Sequence, residues 1–177
     1  MKVIVTKEDN VLDDNTKYII ISNNIIDMKK YQDYKVKPIL ILFDGSYVID
    51  LDKNNVIIDN YINKLSVSKI NKYAKTHRVD INLSSYNDKV YEIKLTTNNY
   101  HRRLIIPYMF KDLLKNIDTI KDNKDIYIVE KNSSIITAID NIFEYLNIKY
   151  NFMELESICD YVNKNGYYKK GYDLCEN

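Results

Sequence analysis

A chain of 177 residues with 26 Lys and Arg against 25 Asp and Glu has a formal net charge of +1 at pH 7. Hydrophobic residues make up 45% and charged residues 29%, which excludes a disordered chain and suits one large core or two small ones. So even a charge balance also excludes a strongly basic nucleic-acid-binding face as the organising feature.

The chain holds 17 Tyr, no Trp and 3 Gly, with Ile, Asn and Lys abundant. These residues share AT-rich codons, so the skew points to a biased genome such as that of a protist or large DNA virus, and says nothing of function. Met1-Lys-Val-Ile-Val runs straight into Thr6, Lys7, Glu8 and Asp9, so no secretory leader is read. The longest apolar run, Ile39–Phe43, falls far short of a membrane span. A cytoplasmic location is expected. Cys159 and Cys175 then read as a buried helix thiol and a loose tail thiol rather than a disulfide.

In chain order, Lys2–Thr6 and Lys17–Ser22 are strand candidates, separated by the polar loop Glu8–Thr16. The run Lys37–Asp50 places Asp44-Gly45 between two apolar stretches, a two-residue hairpin signal. Val56–Ile58 fits a third strand or a helix start. From Asn60 to His77 the spacing of Ile62, Leu65, Ile70 and Tyr73 turns helical, with Ser66 or Ser68 as a cap. The polar stretch Lys75–Arg78 marks the expected domain boundary. Residues 1–78 therefore read as an α+β unit of no recognised family.

The second half opens on Val79–Ile93, whose period-two alternation gives two strands around a turn at Ser85, Asn87 and Asp88. A helix with Pro107 in its first turn buries Met109, Phe110, Leu113 and Leu114. Asp125–Glu130 reads as a short strand. Ser133 or Ser134 caps a helix bearing Ile139, Ile142 and Phe143. A last helix starts at Asn151 with Glu154 as capping-box partner, buries Phe152, Leu155, Ile158, Cys159 and Val162, and stops at Gly166.

This order, with Ile81–Ile93 as the opening strands, Met109–Leu114 as the next helix and Ile158-Cys-Asp-Tyr-Val near the end, resembles the BTB/POZ fold of the Skp and elongin C adaptors. The resemblance covers residues 79–177. It implies an α+β architecture with a BTB/POZ-like second domain, and a non-enzymatic adaptor linking a protein partner to a cullin-type ubiquitin ligase. By the same resemblance Asp160 and Tyr161 match the pair that faces the cullin. Aspartate stands where the family has a neutral amide, and the further helices of Skp proteins have no counterpart. The alternative is a self-associating structural protein of a large, viral assembly. An enzyme or nucleic-acid binder acting through residues 1–78 is the third reading.

No motif for catalysis, cofactor or metal is read. His77 and His101 each stand beside arginine with no nucleophile near in sequence. With Cys159 and Cys175 they lack zinc-ligand spacing. Asp50–Asn55 begins like a calcium loop but has Asn55 at the glycine position and Tyr61 where the glutamate belongs. His101-Arg-Arg103 reads as a solvated basic loop.

Overall fold

The structure, a computed structural model, describes residues 2–7, 16–22, 27–31, 34–113, 116–122 and 124–171. Along the chain these form β1 (Lys2–Thr6), β2 (Thr16–Ser22), α1 (Asp27–Lys30), β3 (Ile39–Leu42), β4 (Tyr47–Asp50), β5 (Asn55–Asp59), α2 (Lys64–His77), β6 (Asp80–Tyr86) and β7 (Lys89–Thr96). Then come α3 (Tyr100–Leu113), β8 (Ile117–Asp122), β9 (Asp125–Glu130), α4 (Ile135–Tyr145), α5 (Phe152–Asn165) and β10 (Tyr167–Gly171). Two compact units result: Met1–Asp59 together with Ser134–Asn177, and Asn60–Ser133.

The first unit is built on a six-stranded sheet in the order β10-β1-β2-β3-β4-β5. β1, β2 and β3 run parallel, while β10, β4 and β5 join antiparallel. Val3, Val5, Ile19, Ile21, Ile39 and Ile41 meet Ile139, Ile142 and Phe143 of α4 and Leu155, Ile158 and Val162 of α5 in one core. The alternate residues Tyr18, Ile20, Leu40 and Leu42 are buried too. A parallel strand buried on both faces needs a near-continuous apolar run, and Ile39-Leu-Ile-Leu42 supplies one. β10 closes an edge with Lys169 and Lys170 exposed, charges that discourage further strand pairing.

The caps explain where the two helices start. Ser134 accepts from the Thr137 backbone N–H at 3.1 Å, and Asn151 from that of Glu154 at 3.0 Å, each satisfying an amide the helix leaves unpaired. Gly166, at φ 83°, ends α5 in the left-handed conformation that glycine adopts without strain.

The second unit is a four-stranded antiparallel sheet, β6-β7-β9-β8. Ile93, Leu95, Ile126 and Ile128 pack with Ile70 and Ala74 of α2 and with Ile106 and Phe110 of α3. On the alternate positions Lys94 pairs with Asp125 at 2.6 Å, Thr96 donates to Asp125 at 2.6 Å and Ser84 donates to Glu92 at 3.0 Å.

This architecture corrects the α+β, BTB/POZ-like expectation. Residues 79–177 do not make one fold: Ser134–Asn177 belongs to the first unit, with α4 and α5 in its core, and β10 pairs with β1. Nor does the chain divide at 78/79, because α2 shares a core with β7 and β9 and the Val79 N–H donates to the Ala74 carbonyl at 2.9 Å. The two-residue hairpin expected at Asp44-Gly45 is a four-residue turn, since Leu42 pairs with Tyr47. The tight turn occurs at Asn87-Asp88 instead, both at positive φ, between paired Tyr86 and Lys89. Asn63, not a serine, caps α2. Pro107 lies inside α3, not in its first turn. Glu8–Asn15 and Leu114 lie outside the described residues, as does the Phe152 side chain.

Candidate active site

In open α/β sheets ligands bind outside the carboxyl ends of the parallel strands, where side chains leave the sheet toward solvent. Here β1 ends at Thr6 and Lys7. The Thr6 hydroxyl and the Lys7 N–H both donate to the Gly166 carbonyl, at 3.4 and 2.9 Å. The Lys7 ammonium donates to Asn163 Oδ1 at 2.8 Å. Residues from the end of α5 thus orient the lysine.

β3 ends in a turn of unusual backbone. Phe43, Asp44 and Gly45 have φ of 51°, 52° and 90°. Two successive non-glycine residues in the left-handed region carry strain, and such strain gathers where a site needs a fixed geometry. Phe43 is buried and anchors the turn. A Cβ on Gly45 would collide with the carbonyl of Ser134, the cap of α4. Between these two anchors Asp44 is half-buried, and burial pushes its carboxyl above the ordinary value, while the Lys7 ammonium draws it partly back. Ser46, the next residue, is fully buried and its Oγ has no hydrogen-bond partner among the described residues.

A carboxyl biased toward its protonated form and an ammonium beside it can bind an oxyanion and exchange a proton with it. A family model for haloacid dehalogenase-like hydrolases matches residues 11–171. The chain belongs to that family. Solved structures agree in fold. A haloacid dehalogenase-like hydrolase from Bacteroides thetaiotaomicron has a TM-score of 0.59 at 9% identity, over 73% of this chain and 64% of its own. One from B. subtilis gives 0.59 at 10% identity, over 77% and 69%. A subclass IIB sugar phosphatase gives 0.57 at 13% identity, over 76% and 64%. The chain therefore spans about two thirds of the length of these haloacid dehalogenase-like proteins. No curated protein matches the sequence.

Family membership overturns the BTB/POZ adaptor, its place in a ubiquitin-ligase pathway, the structural viral protein offered as the alternative, and the expectation that the chain is not an enzyme. The hairpin–helix–strand–helix order misled because the same order arises when an inserted αββαββ unit is followed by two helices of another core.

Haloacid dehalogenase-like enzymes usually carry Mg2+. Magnesium takes an octahedral array of oxygens, in which one or two ionised carboxylates commonly join water and substrate phosphate. Among the described residues no cluster of three or more His, Cys, Asp or Glu could hold a metal. At the strand ends Asp44 is displaced toward its neutral form and has an ammonium for a neighbour. The described residues do not fit the ion, so no step is routed through it.

The residues singled out from sequence lie elsewhere. Asp160 and Tyr161 are exposed on α5, with the Tyr161 ring edge-on to Tyr168 at 5.8 Å. His77 ends α2, its ring 4.2 Å from that of Tyr73. Cys159 is buried, and Cys175 lies outside the described residues. Lys7 and Asp44 were missed because a lysine after a strand and an Asp-Gly pair carry no catalytic pattern. The usable signal was the Phe-Asp-Gly ending of the most apolar run. No helix among the described residues is long and apolar enough to cross a membrane.

Proposed function

We propose that the chain is a hydrolase of small phosphate monoesters, acting at the carboxyl ends of β1 and β3. The observation that carries this reading is the half-buried Asp44, held in a strained turn beside Lys7. Support comes from membership of the hydrolase family and from neighbours described as a sugar phosphatase and as members of a phosphoryl-transfer superfamily.

In this scheme Lys7 faces the phosphoryl oxygens, because its ammonium is fixed by Asn163 and offsets their charge. Water attacks phosphorus as the P–O ester bond breaks. The protonated Asp44 gives its proton to the leaving alkoxide, and the attacking water then returns one to the Asp44 carboxylate. The products are the alcohol and inorganic phosphate, and the site is restored. Phosphoryl transfer needs mostly positioning and charge stabilisation, which a fixed lysine supplies.

The test is phosphate release from p-nitrophenyl phosphate and a panel of hexose phosphates, with Mg2+ present. Asp44→Asn and Lys7→Ala should each lower kcat/KM by roughly 100-fold or more, as removal of an acid or a charge-stabilising donor does. Turnover unchanged in both variants, or absent from the wild-type chain across the panel, would remove the proposal.

A further inference from the structure

The solvent face of α3 is apolar. Tyr100, Leu104, Ile105, Tyr108 and Met109 are between 36% and 69% exposed, while the opposite side of the helix carries Ile106 and Phe110 into the core of the unit Asn60–Ser133. Spacings of four set 100, 104 and 108 in one row and 105 and 109 in the next. From Leu104 to Phe110 the chain holds no charged residue, whereas a helix lying on a core ordinarily turns a charged face to water. We propose that a second copy of the chain docks on this face, α3 against α3, to form a two-fold dimer.

The order of residues in the row selects the occupant. Tyr100 and Tyr108 stand equally far from Leu104, four residues before it and four after. A two-fold interface joins one patch to itself, and an antiparallel copy with its axis at Leu104 lays each Tyr100 on the partner's Tyr108. Charge selects the antiparallel sense. Arg102 and Arg103 both lie in the first turn of α3, so parallel helices would bring these positive ends together, whereas antiparallel ones hold them at opposite ends. The patch is also held in place. The Arg102 guanidinium donates to the His77 carbonyl, that of Arg103 lies 5.7 Å from the centre of the Tyr100 ring, and the Tyr73 hydroxyl donates to Met109 Sδ at 3.5 Å. Side chains already fixed lose little freedom on docking.

The area matches what such a dimer needs. With a tyrosine at roughly 200 Å², the exposed fractions of the five side chains add to on the order of 500 Å² per copy, a patch of the size that marks an interaction site. Pairing two copies removes about 1,000 Å² from water, the lower limit of a specific interface. Association of this size is reversible, with a Kd on the order of 10 μM. It is independent of the chemistry given to Lys7 and Asp44.

Sedimentation equilibrium of the full chain from about 1 to about 200 μM tests this, since that range brackets the expected Kd. The mass should rise with concentration to twice that of the chain and level there. Leu104→Glu sets two like charges together at the axis and should weaken association by at least about tenfold, and Leu104→Lys should do the same. An equimolar mixture of these two variants should recover the dimer, because carboxylate then meets ammonium. Should the Leu104 variants fail to fold, Ile105→Glu, at a 52% exposed position, supplies the same reading. Met153→Glu, at an exposed apolar position of α5, should leave the dimer unchanged. A chain that stays monomeric to the highest concentration, a mass that climbs past two copies, an unaltered association in Leu104→Glu, a mixture that does not recombine, or a loss in Met153→Glu would each overturn the assignment. A monomer that instead sediments with phosphatidylserine vesicles, and fails to in Leu104→Glu, would give the face to a membrane surface and overturn it as well.

Discussion

Lys17 donates to Asp50 Oδ1 across 3.1 Å, and the aspartate side chain is fully buried while the lysine keeps 16% of its surface. Asp50 ends β4 opposite Ile39, so this pair sits at the edge of the sheet where β3 begins, away from the carboxyl ends. The Asp52 N–H also donates to Oδ1, at 3.1 Å, and the Tyr145 hydroxyl to Oδ2, at 3.2 Å. Three donors on one buried carboxylate bind β2, β4 and α4 together. Removing the carboxylate leaves the lysine and tyrosine facing a void, so Asp50→Ala should lose roughly 3–5 kcal/mol. Tyr145→Phe, which removes one donor, should lose about 1 kcal/mol. Urea unfolding checks both, and equal small losses would show that the carboxylate is not the hub.

Gly45 faces a double restriction. Its φ of 90° suits glycine alone, and an added Cβ would meet the Ser134 carbonyl, which is backbone and cannot swing aside. Gly45→Ala should therefore cost more than the roughly 1–3 kcal/mol of a strained residue. Because the collision is with the cap of α4, amide exchange in the first turn of α4 should accelerate along with the fall in Tm. A variant as stable as the parent would show that the turn relaxes freely.

Much of the local structure was legible because it is written in local chemistry. Asn151 with Glu154, Gly166, and the stripe of Phe143, Leu155 and Ile158 predicted helix ends and core residues, and the last three are 0% exposed. What failed was long-range. Nothing near Tyr167–Gly171 announces that it pairs with Lys2–Thr6, because edge strands rich in lysine look like loops. β8, Ile117–Asp122, shows no period of two either, because its two isoleucines, Ile117 and Ile120, stand three residues apart. The insertion of residues 60–133 into another core leaves no mark in composition, so the order of elements was read as one contiguous fold. Of the candidate site, Asp44 was in view as a turn residue, and its closeness to Lys7 depends on β1 and β3 being parallel with β2 between them.

Cys159 offers a check on the packing of α5. Burial, helped by the charge of Asp160, pushes its thiol up to about 11, and the thiolate is the reactive form. In a Cys175→Ser background the folded chain should take up iodoacetamide at pH 8 much more slowly than the urea-unfolded chain. Mass spectrometry of the labelled chain reads the outcome. Equal rates would mean that α5 does not stay docked.

The two cores predict how the chain can be cut. Ile62, Ile70 and Ala74 belong with Ile93, Leu95, Ile126 and Ile128, so a fragment 60–133 keeps a whole core whereas 79–177 loses α2 and five strands of the six-stranded sheet. The first should give a dispersed amide spectrum and a cooperative melt, and the second should not. A fragment this short is marginal, since small domains bury a low fraction of their surface. A folded 79–177 would mean that the cores are not divided as the contacts indicate.

Asp44 yields the prediction that joins stability to activity. Burial raises its pKa in the folded chain above the ordinary 3.8, with Lys7 pulling it partly down. The folded state therefore holds this proton more tightly than the unfolded state does. Below about pH 3.8 both states are protonated and the contribution is fully present; as pH rises through the folded value it is lost. Asp44→Asn cannot ionise, so its urea midpoint should fall less than the parent's as pH rises above 3.8. The proposed reaction needs the protonated carboxyl, so kcat should decline as pH rises through the same raised value. Lys7→Ala removes the charge that lowers it, and the declining limb should then move to higher pH even though the rate itself drops. Phosphate release measured across pH 4 to 8 in the parent and in Lys7→Ala reads this directly. A limb that stays in place, or moves to lower pH, would show that the two side chains do not sense one another and that Asp44 is not the acid.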